Sequence, residues 1–135
     1  MPLGPLGSQS TGAALDNLAE VYRGSDFVRD YRWLIENLPV DITGATGAVE
    51  MRRNGVAIFT PAFTVIDGPD GRFQISMTAA TTGAQTPVIP TNTITICSPL
   101  DFEFQDKFEA LNFSVNLTLA GSTYQLVRGF AKFYA

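Results

Sequence analysis

Leu-Asn-Phe-Ser-Val-Asn-Leu-Thr-Leu, residues 111–119, is the stretch of the sequence that decides the fold class. Phe113, Val115 and Leu117 alternate there with polar side chains. A period of two places successive side chains on opposite faces of an extended chain, so the stretch predicts a β-strand with one buried face. The chain then turns at Ala-Gly-Ser, and residues 124–133 return as the closing strand.

A second hairpin is predicted in the first half of the chain. Asn54-Gly55 separates two alternating stretches, at about 45–53 and 56–66. Both residues of such a pair tolerate a positive φ, which the tightest hairpin turns require. Pro61 interrupts the later stretch, and since proline cannot donate to a sheet ladder, it predicts an edge strand or a bulge there.

Seven short strands are predicted in all, and no long helical period competes with them. The stretches with a period of two are 27–35, 45–53, 56–66, 72–77, 91–97, 111–119 and 124–133. Short strands separated by turn residues are typical of a β-sandwich. The sequence therefore predicts an all-β fold, an antiparallel sandwich of about seven strands.

The N-terminal segment follows a different pattern. Residues 1–14 are dominated by proline, glycine and serine without periodicity, which is typical of a flexible or extended arm. Three interpretations stay open: a remnant of expression, a disordered end, or an arm that orders against a neighbouring subunit. Leu3 and Leu6 would give such an arm apolar side chains to bury.

The boundary between arm and sandwich is predicted after residue 24. Residues 15–22 have a weak helical spacing of apolar side chains, which predicts one short turn of helix. The chain would then consist of an extended arm with this helix over 1–24 and a β-sandwich over 25–135. Deleting residues 1–20 is accordingly expected to leave the sandwich folded and to weaken assembly.

The segment before the last two strands is less regular. Residues 78–92 are small and polar and predict a short helical turn or a loop. Residues 98–110 are ambiguous, because Phe102, Phe104 and Phe108 suit a strand, a helix or a packed loop equally well.

Charge excludes several classes of partner. Only 16% of residues are charged, below the usual level of about 25%, and a surface poor in charge is often covered by a neighbour. The net charge is −4, and the nine basic residues are scattered apart from the pair Arg52-Arg53. Because phosphate binding needs clustered cations, neither nucleic acid nor an anionic membrane is predicted as a partner. No apolar run is long enough to cross a bilayer.

The composition also argues against catalysis. The chain has no histidine, which removes the commonest general base and metal ligand. Cys97, the single cysteine, lies in an apolar alternating run and is interpreted as a small core residue. Zinc sites and nucleophile–histidine pairs are thereby excluded, and phosphate-binding glycine loops do not occur. We predict no catalytic residue, no cofactor and no metal ligand.

Three groups of side chains also allow an interpretation as a ligand-binding or catalytic site. The Asp67–Asp70 turn has two carboxylates suited to Ca²⁺, although aspartate and glycine are what a turn needs anyway. An acidic run resembles the paired carboxylates of glycosidases, but its interleaved phenylalanines indicate a solvated face above a packed one. Aromatic side chains could form a sugar-binding platform, but in strands they are more often core or interface residues. The acidic residues are Asp101, Glu103, Asp106 and Glu109, and the aromatic ones are Tyr31, Trp33, Tyr124 and Tyr134.

The order of several short motifs carries a family resemblance. Residues 41–46 read Asp-Ile-Thr-Gly-Ala-Thr, and residues 71–81 read Gly-Arg-Phe-Gln-Ile-Ser-Met-Thr-Ala-Ala-Thr. Later come Phe-Ser-Val-Asn-Leu-Thr at 113–118 and Leu-Val-Arg-Gly-Phe at 126–130. Over residues 26–135 the chain resembles the Ig-like domain found at the N-terminus of phage baseplate upper proteins and in many small phage tail and virion proteins.

The resemblance implies an Ig-like β-sandwich that attaches one virion part to another and has no catalytic residues. It implies a tail, baseplate or tail-fibre adaptor located in the virion, with other virion proteins and copies of the chain itself as partners in a symmetric assembly. A capsid decoration protein is the alternative, and a carbohydrate- or receptor-binding module is a further one. Residues 83–110 are longer than the family's usual connection and are expected to form an extra strand or a contact loop. The candidate partner contacts are Leu3, Leu6, Leu15, Phe102, Phe104 and Phe108.

Overall fold

The computed structural model describes residues 14–89, 91–95, 101–105 and 108–135, and for 91–95 and 101–105 it describes the backbone only. The protein is all-β with mixed sheets. The elements in chain order are β1 (Ala14–Tyr22), β2 (Phe27–Arg32), β3 (Leu34–Ile35), β4 (Leu38–Pro39), β5 (Thr46–Arg53), β6 (Val56–Phe59), β7 (Ala62–Asp67), β8 (Arg72–Met77), α1 (Ala79–Gly83), β9 (Thr91–Thr95), β10 (Asp101–Gln105), β11 (Phe108–Leu119) and β12 (Ser122–Tyr134).

The larger sheet has five strands in the order β1-β12-β11-β5-β6. Its centre is the long hairpin of β11 and β12, which turns at Ala120 and Gly121, both with positive φ. The predicted hairpin of β5 and β6 is confirmed, since Asn54 and Gly55 adopt φ values of 51° and 81°. These two turns match the requirement of the tightest hairpins for left-handed residues at both central positions.

The smaller sheet has three antiparallel strands in the order β2-β8-β7. Between the sheets lies one hydrophobic core, which includes Phe73 and Ile75 of the smaller sheet and Phe113, Val115 and Leu117 of the larger one. All five side chains are at most 2% exposed, so the period of two identified the buried face of β11 correctly, and β8 buries alternate residues in the same way.

The predicted helix over residues 15–22 is wrong. These residues form most of β1, which pairs in parallel with β12 from Ala14 opposite Val127 to Tyr22 opposite Tyr134. Ala19 and Val21 are fully buried, so residues 14–22 belong to the sheet and not to an arm that extends to residue 24. The parallel pairing also corrects the expectation of a purely antiparallel fold.

At Pro61 the structure differs from the predicted edge strand or bulge, because the chain leaves one sheet there and enters the other. The predicted strand at 56–66 is divided there into β6, at the edge of the larger sheet, and β7, at the edge of the smaller sheet. Proline lacks the amide hydrogen that would continue a ladder, and the chain crosses from one sheet to the other at this point.

The connection after β8 combines a helix and a ribbon. Residues 79–83 form α1, whose first turn is capped by the Thr78 hydroxyl accepting from the amide of Thr81. This confirms the predicted helical turn within 78–92. β9 lies within the strand predicted at 91–97, and the extra strand expected in 83–110 is β10, which pairs with β9 as an antiparallel ribbon. Among the helices described, none is long and apolar enough to cross a membrane.

Candidate functional site

The candidate partner contacts have different places in the structure. Leu3 and Leu6 lie outside the described residues. The backbone of Phe102 and Phe104 lies in β10, and their side chains are also outside the description. Leu15 on β1 is described and is 69% exposed, as a contact residue requires.

Leu15 is part of a wider apolar surface on the outer side of the larger sheet. Leu18 is 73% exposed, Tyr22 is 47% exposed and Phe130 is 48% exposed. All four residues lie on the adjacent strands β1 and β12, and we call the surface that they form the apolar face. Exposed apolar side chains grouped on one surface are typical of interaction sites. Leu18, Tyr22 and Phe130 were not identified from the sequence as contact residues.

One end of the apolar face is built from stacked aromatic rings. Tyr22 stacks on Tyr134 with ring centroids 4.7 Å apart, and Phe108 packs against the other side of Tyr134 at 5.5 Å. Glu20 accepts hydrogen bonds from both tyrosine hydroxyls, at 3.3 and 3.2 Å. Lys132 lies 5.2 Å from the Phe108 ring centroid, where a cation is attracted by the ring face. Phe108 therefore belongs to this surface, although it is only half-exposed.

Beneath the apolar face, β1 is held by a partly buried charge cluster. The Arg29 guanidinium of β2 donates two hydrogen bonds to the Asp16 carboxylate, at 2.6 and 2.8 Å. The Tyr31 hydroxyl and the Leu18 amide donate to the same carboxylate. Asp16 thus joins the edge strand of the larger sheet to the smaller sheet.

Burial and hydrogen bonding act in opposite directions on Asp16. Burial alone would raise the pKa of its carboxyl group, but the bonds from Arg29, Tyr31 and the Leu18 amide outweigh burial and hold the pKa below its ordinary value. Burial first, and then the bond to Asp16, raise the pKa of Tyr31. The cluster is therefore an ionised carboxylate that accepts from a guanidinium and a neutral phenol, and this arrangement holds β1 to the smaller sheet.

We expect Asp16→Asn to lower the free energy of unfolding by about 2 kcal/mol at pH 7. Breaking a buried pair costs about 3–5 kcal/mol, and the value is reduced here because the Arg29 side chain is 30% exposed. The depressed pKa stabilises the fold above the ordinary carboxyl range, and this contribution is lost as pH falls through the folded-state value. Urea unfolding between pH 7 and pH 3 should show a smaller dependence on pH in the variant. An unchanged pH profile would contradict the assignment.

The structure describes one side chain of the acidic run, Glu109, and it does not lie on the predicted solvated face. Glu109 is buried, and Arg53 donates two hydrogen bonds of 2.7 Å to it while the Val88 amide donates a third. Burial would raise the pKa of Glu109, but these bonds lower it below its ordinary value. Asp101 and Glu103 lie on β10 with undescribed side chains, and Asp106 lies outside the description. Glu109 therefore joins the segment after α1 to the larger sheet.

The turn between β7 and β8 is stabilised by its own carboxylates. Asp67 accepts from the amide of Asp70, and the Asp70 carboxylate accepts from Arg32 and Arg72. Within the part of the chain that the structure describes, no group of three or more potential metal ligands occurs. The aspartates therefore stabilise the turn, which is the role that the sequence analysis gave as the alternative to Ca²⁺ binding.

The four aromatic residues considered as a sugar platform do not share an exposed surface. Trp33 is buried and packs against Tyr124, with ring centroids 5.3 Å apart. Tyr31 stacks on Phe73 of the core at 5.4 Å. Tyr134 is covered on both sides by neighbouring rings, as described above. Sugars stack on open ring faces, and these rings are occupied by protein neighbours instead.

A cavity of about 170 Å³ lies on the outer side of the smaller sheet. Ligand pockets usually measure roughly 300–1,000 Å³, so this depression could hold only a side chain or a very small molecule. Its lining residues are Asp30, Tyr31, Ile66, Arg72, Phe73 and Gln74.

Within the described residues, the protein is all-β, the carboxylates of Asp16, Asp70 and Glu109 are bound by arginines of the same chain, and the apolar face is exposed. Compared with models of protein families and with curated proteins, the chain matches none. The resemblance to the phage Ig-like domain therefore stays a prediction from the motifs quoted above.

Proposed function

We propose that the chain is a non-enzymatic structural protein of a bacteriophage virion, with an Ig-like β-sandwich fold. In this proposal it is a tail, baseplate or tail-fibre adaptor that joins virion parts through protein–protein contacts. Its partners are other virion proteins and copies of itself, and it reaches the virion by assembly in the host cytoplasm.

The apolar face is the observation that carries this proposal. Leu15, Leu18, Tyr22 and Phe130 together would cost free energy if they stayed in water, at about 25 cal/mol for each Å² of apolar surface. Covering them with a protein partner recovers that free energy. A chain with few charged residues and such a face is suited to an assembly, where neighbours cover much of its surface.

The first of the motifs that carry the resemblance, residues 41–46, has a role in folding. Within residues 41–46, Ile42 is fully buried, and its amide donates to the carbonyl of Gly68 at 2.8 Å. The Asp41 carboxylate accepts from the amide and hydroxyl of Thr43, and Gly44 adopts a φ of 79°. A motif of this kind specifies a turn and a core anchor, which supports a structural role for the domain.

The structure supports the two alternative functions, a capsid decoration protein and a carbohydrate-binding module, to different degrees. A capsid decoration protein would use the same apolar face, and the geometry does not separate it from a tail component. A carbohydrate-binding module is less favoured, because the rings of Trp33, Tyr31 and Tyr134 are packed against protein neighbours.

Mass spectrometry of purified particles tests the proposal. Particles produced from the genome that encodes this chain should contain it at a fixed ratio to the major capsid protein. Separation of tails from heads on a density gradient, followed by immunogold labelling, should place it in the tail fraction. Recovery in the head fraction would favour the decoration alternative. Absence from purified particles would contradict a virion role, and a glycan array would then test the carbohydrate alternative.

A further inference from the structure

The smaller sheet also has an exposed outer side. Its inward residues alternate with Val28, Asp30 and Arg32 of β2, which pair with Ser76, Gln74 and Arg72 of β8. Two apolar side chains are exposed on this side, Val28 at 58% and Ile66 at 56%. We call this surface the acidic face. It consists of Val28, Asp30, Arg32, Ile66, Asp67, Asp70 and Arg72.

The two faces have opposite excess charge. The acidic face has three carboxylates and two guanidinium groups, and Asp70 accepts from both Arg32 and Arg72. The carboxylates of Asp30 and Asp67 form no ion pair within the described residues. On the apolar face, Arg128 and Lys132 of β12 flank Phe130, and Glu20 opposes Lys132. The apolar face therefore has one surplus positive charge and the acidic face one surplus negative charge.

The fold directs the two faces away from each other. The sheets pack on a common core, so the outer side of one points away from the outer side of the other. A contact between the apolar face of one copy and the acidic face of another leaves a free face on each copy. Such a contact is heterologous, and its repetition produces a closed ring or an open filament rather than a two-fold dimer.

We propose that copies of this chain associate head to tail, with the apolar face of one copy on the acidic face of the next. The apolar side chains of both faces supply the affinity, and the opposite charges select the orientation. A two-fold contact between two apolar faces would bring surplus positive charge against surplus positive charge. The inference rests on the proposed function, because a repeating contact is what a ring-forming or tube-forming virion component needs.

Two double variants of the full chain test the contact. Leu18→Ser with Arg128→Glu alters the apolar face, and Val28→Ser with Asp30→Lys alters the acidic face. Each side chain points outward, so both variants should retain the circular dichroism spectrum of the native protein. Val56→Ser, at a 65% exposed position on β6 outside both faces, is the matched control. Should either double variant lose its fold, Leu15→Ser or Ile66→Ser replaces it.

Sedimentation velocity at low and high salt provides the readout. The native chain and the control should form oligomers that grow with concentration and weaken with salt. Each double variant alone should associate at least about tenfold more weakly. An equimolar mixture of the two variants should form a 1:1 dimer and no larger species, because only one intact pair of faces remains.

Three results would overturn the head-to-tail contact. The first is a monomeric native chain at every concentration. The second is an acidic-face variant that assembles like the native chain while the apolar-face variant does not, which indicates a two-fold contact. The third is normal assembly of both variants. Incorporation of the variants into particles separates this inference from the proposed function. If both variants are incorporated normally, the proposed function is retained although the contact is not needed for it. If the native chain forms these oligomers but is absent from particles, the contact is retained and the proposed function is contradicted.

Discussion

Deleting residues 1–22 is expected to abolish the cooperative unfolding transition, whereas deleting residues 1–13 should preserve it. The longer deletion removes β1, and with it the fully buried Ala19 and Val21. Burying one valine side chain contributes about 1.5–3 kcal/mol. The deletion also exposes the inner side of β12, including Phe133, which is fully buried in the intact protein.

The electrostatic consequence adds to the packing loss. Without Asp16, the half-buried Arg29 loses both of its carboxylate bonds, and Tyr31 loses its acceptor. An uncompensated charge that is partly buried costs several kcal/mol. Because domains are stable by only about 5–15 kcal/mol, the sum of these losses is comparable to the whole stability of the fold.

Trp33 provides the measurement for this prediction. It is the single tryptophan of the chain and is 9% exposed, so its fluorescence reports the packing of the core during urea unfolding. The shorter deletion ends directly before β1 and is the matched control. Equal midpoints for the two deletions would mean that residues 14–22 are the dispensable arm that the sequence predicted. The expectation that deleting residues 1–20 leaves the fold intact is replaced by this prediction.

Gly129→Ala should lower the free energy of unfolding by about 3 kcal/mol or more. Gly129 has a φ of 149°, which side chains rarely adopt, and a Cβ atom there would lie 2.2 Å from the carbonyl oxygen of Asp16. The Asn17 side-chain oxygen would be 2.7 Å away. Neither neighbour can yield easily, because Asp16 is held by Arg29 and Asn17 accepts from the amide of Phe130 at 3.0 Å.

Gly121→Ala separates the steric effect from the backbone effect. Gly121 also has a positive φ, 81°, but a Cβ atom there would meet nothing within 4 Å. Its substitution should cost only the conformational strain of about 1–2 kcal/mol. Chemical denaturation of both variants gives the comparison, and equal losses would contradict the close approach of β1 to β12. Gly129 lies in the Leu-Val-Arg-Gly-Phe motif, so this contact explains why glycine occupies that position.

The local patterns were sufficient for much of the fold. Alternation identified β5, β8, β11 and β12, and in β11 also the buried face, because the period of two depends only on neighbouring residues. The turn residues Asn54 and Gly55 identified a hairpin because their backbone preferences are also local. Leu15 was also predicted as a partner contact and lies exposed on β1, but its contact with a partner stays a prediction.

The β1 strand shows why local patterns fail elsewhere. Its pairing with β12 has a register shift between Asp16 and Ala19, which is a bulge. The bulge interrupts the alternation, so that the exposed Leu15, Leu18 and Tyr22 acquire the spacing of one face of a helix. The helical spacing of these side chains was therefore real, but a bulge in a strand produced it. For the same reason the apolar face was not identified from the sequence.

The sequence by itself determined the all-β class, the turns and the alternation of most strands, because each depends on contacts between near neighbours in the chain. The tertiary structure alone decided which strands share a sheet, the parallel pairing of β1 with β12 and the bonding of Asp16 to Arg29. It also gathered Leu15, Leu18, Tyr22 and Phe130 onto one surface. Strand partners more than a hundred residues apart are chosen by the burial of a common core, and a period of two does not specify which partner a strand will have.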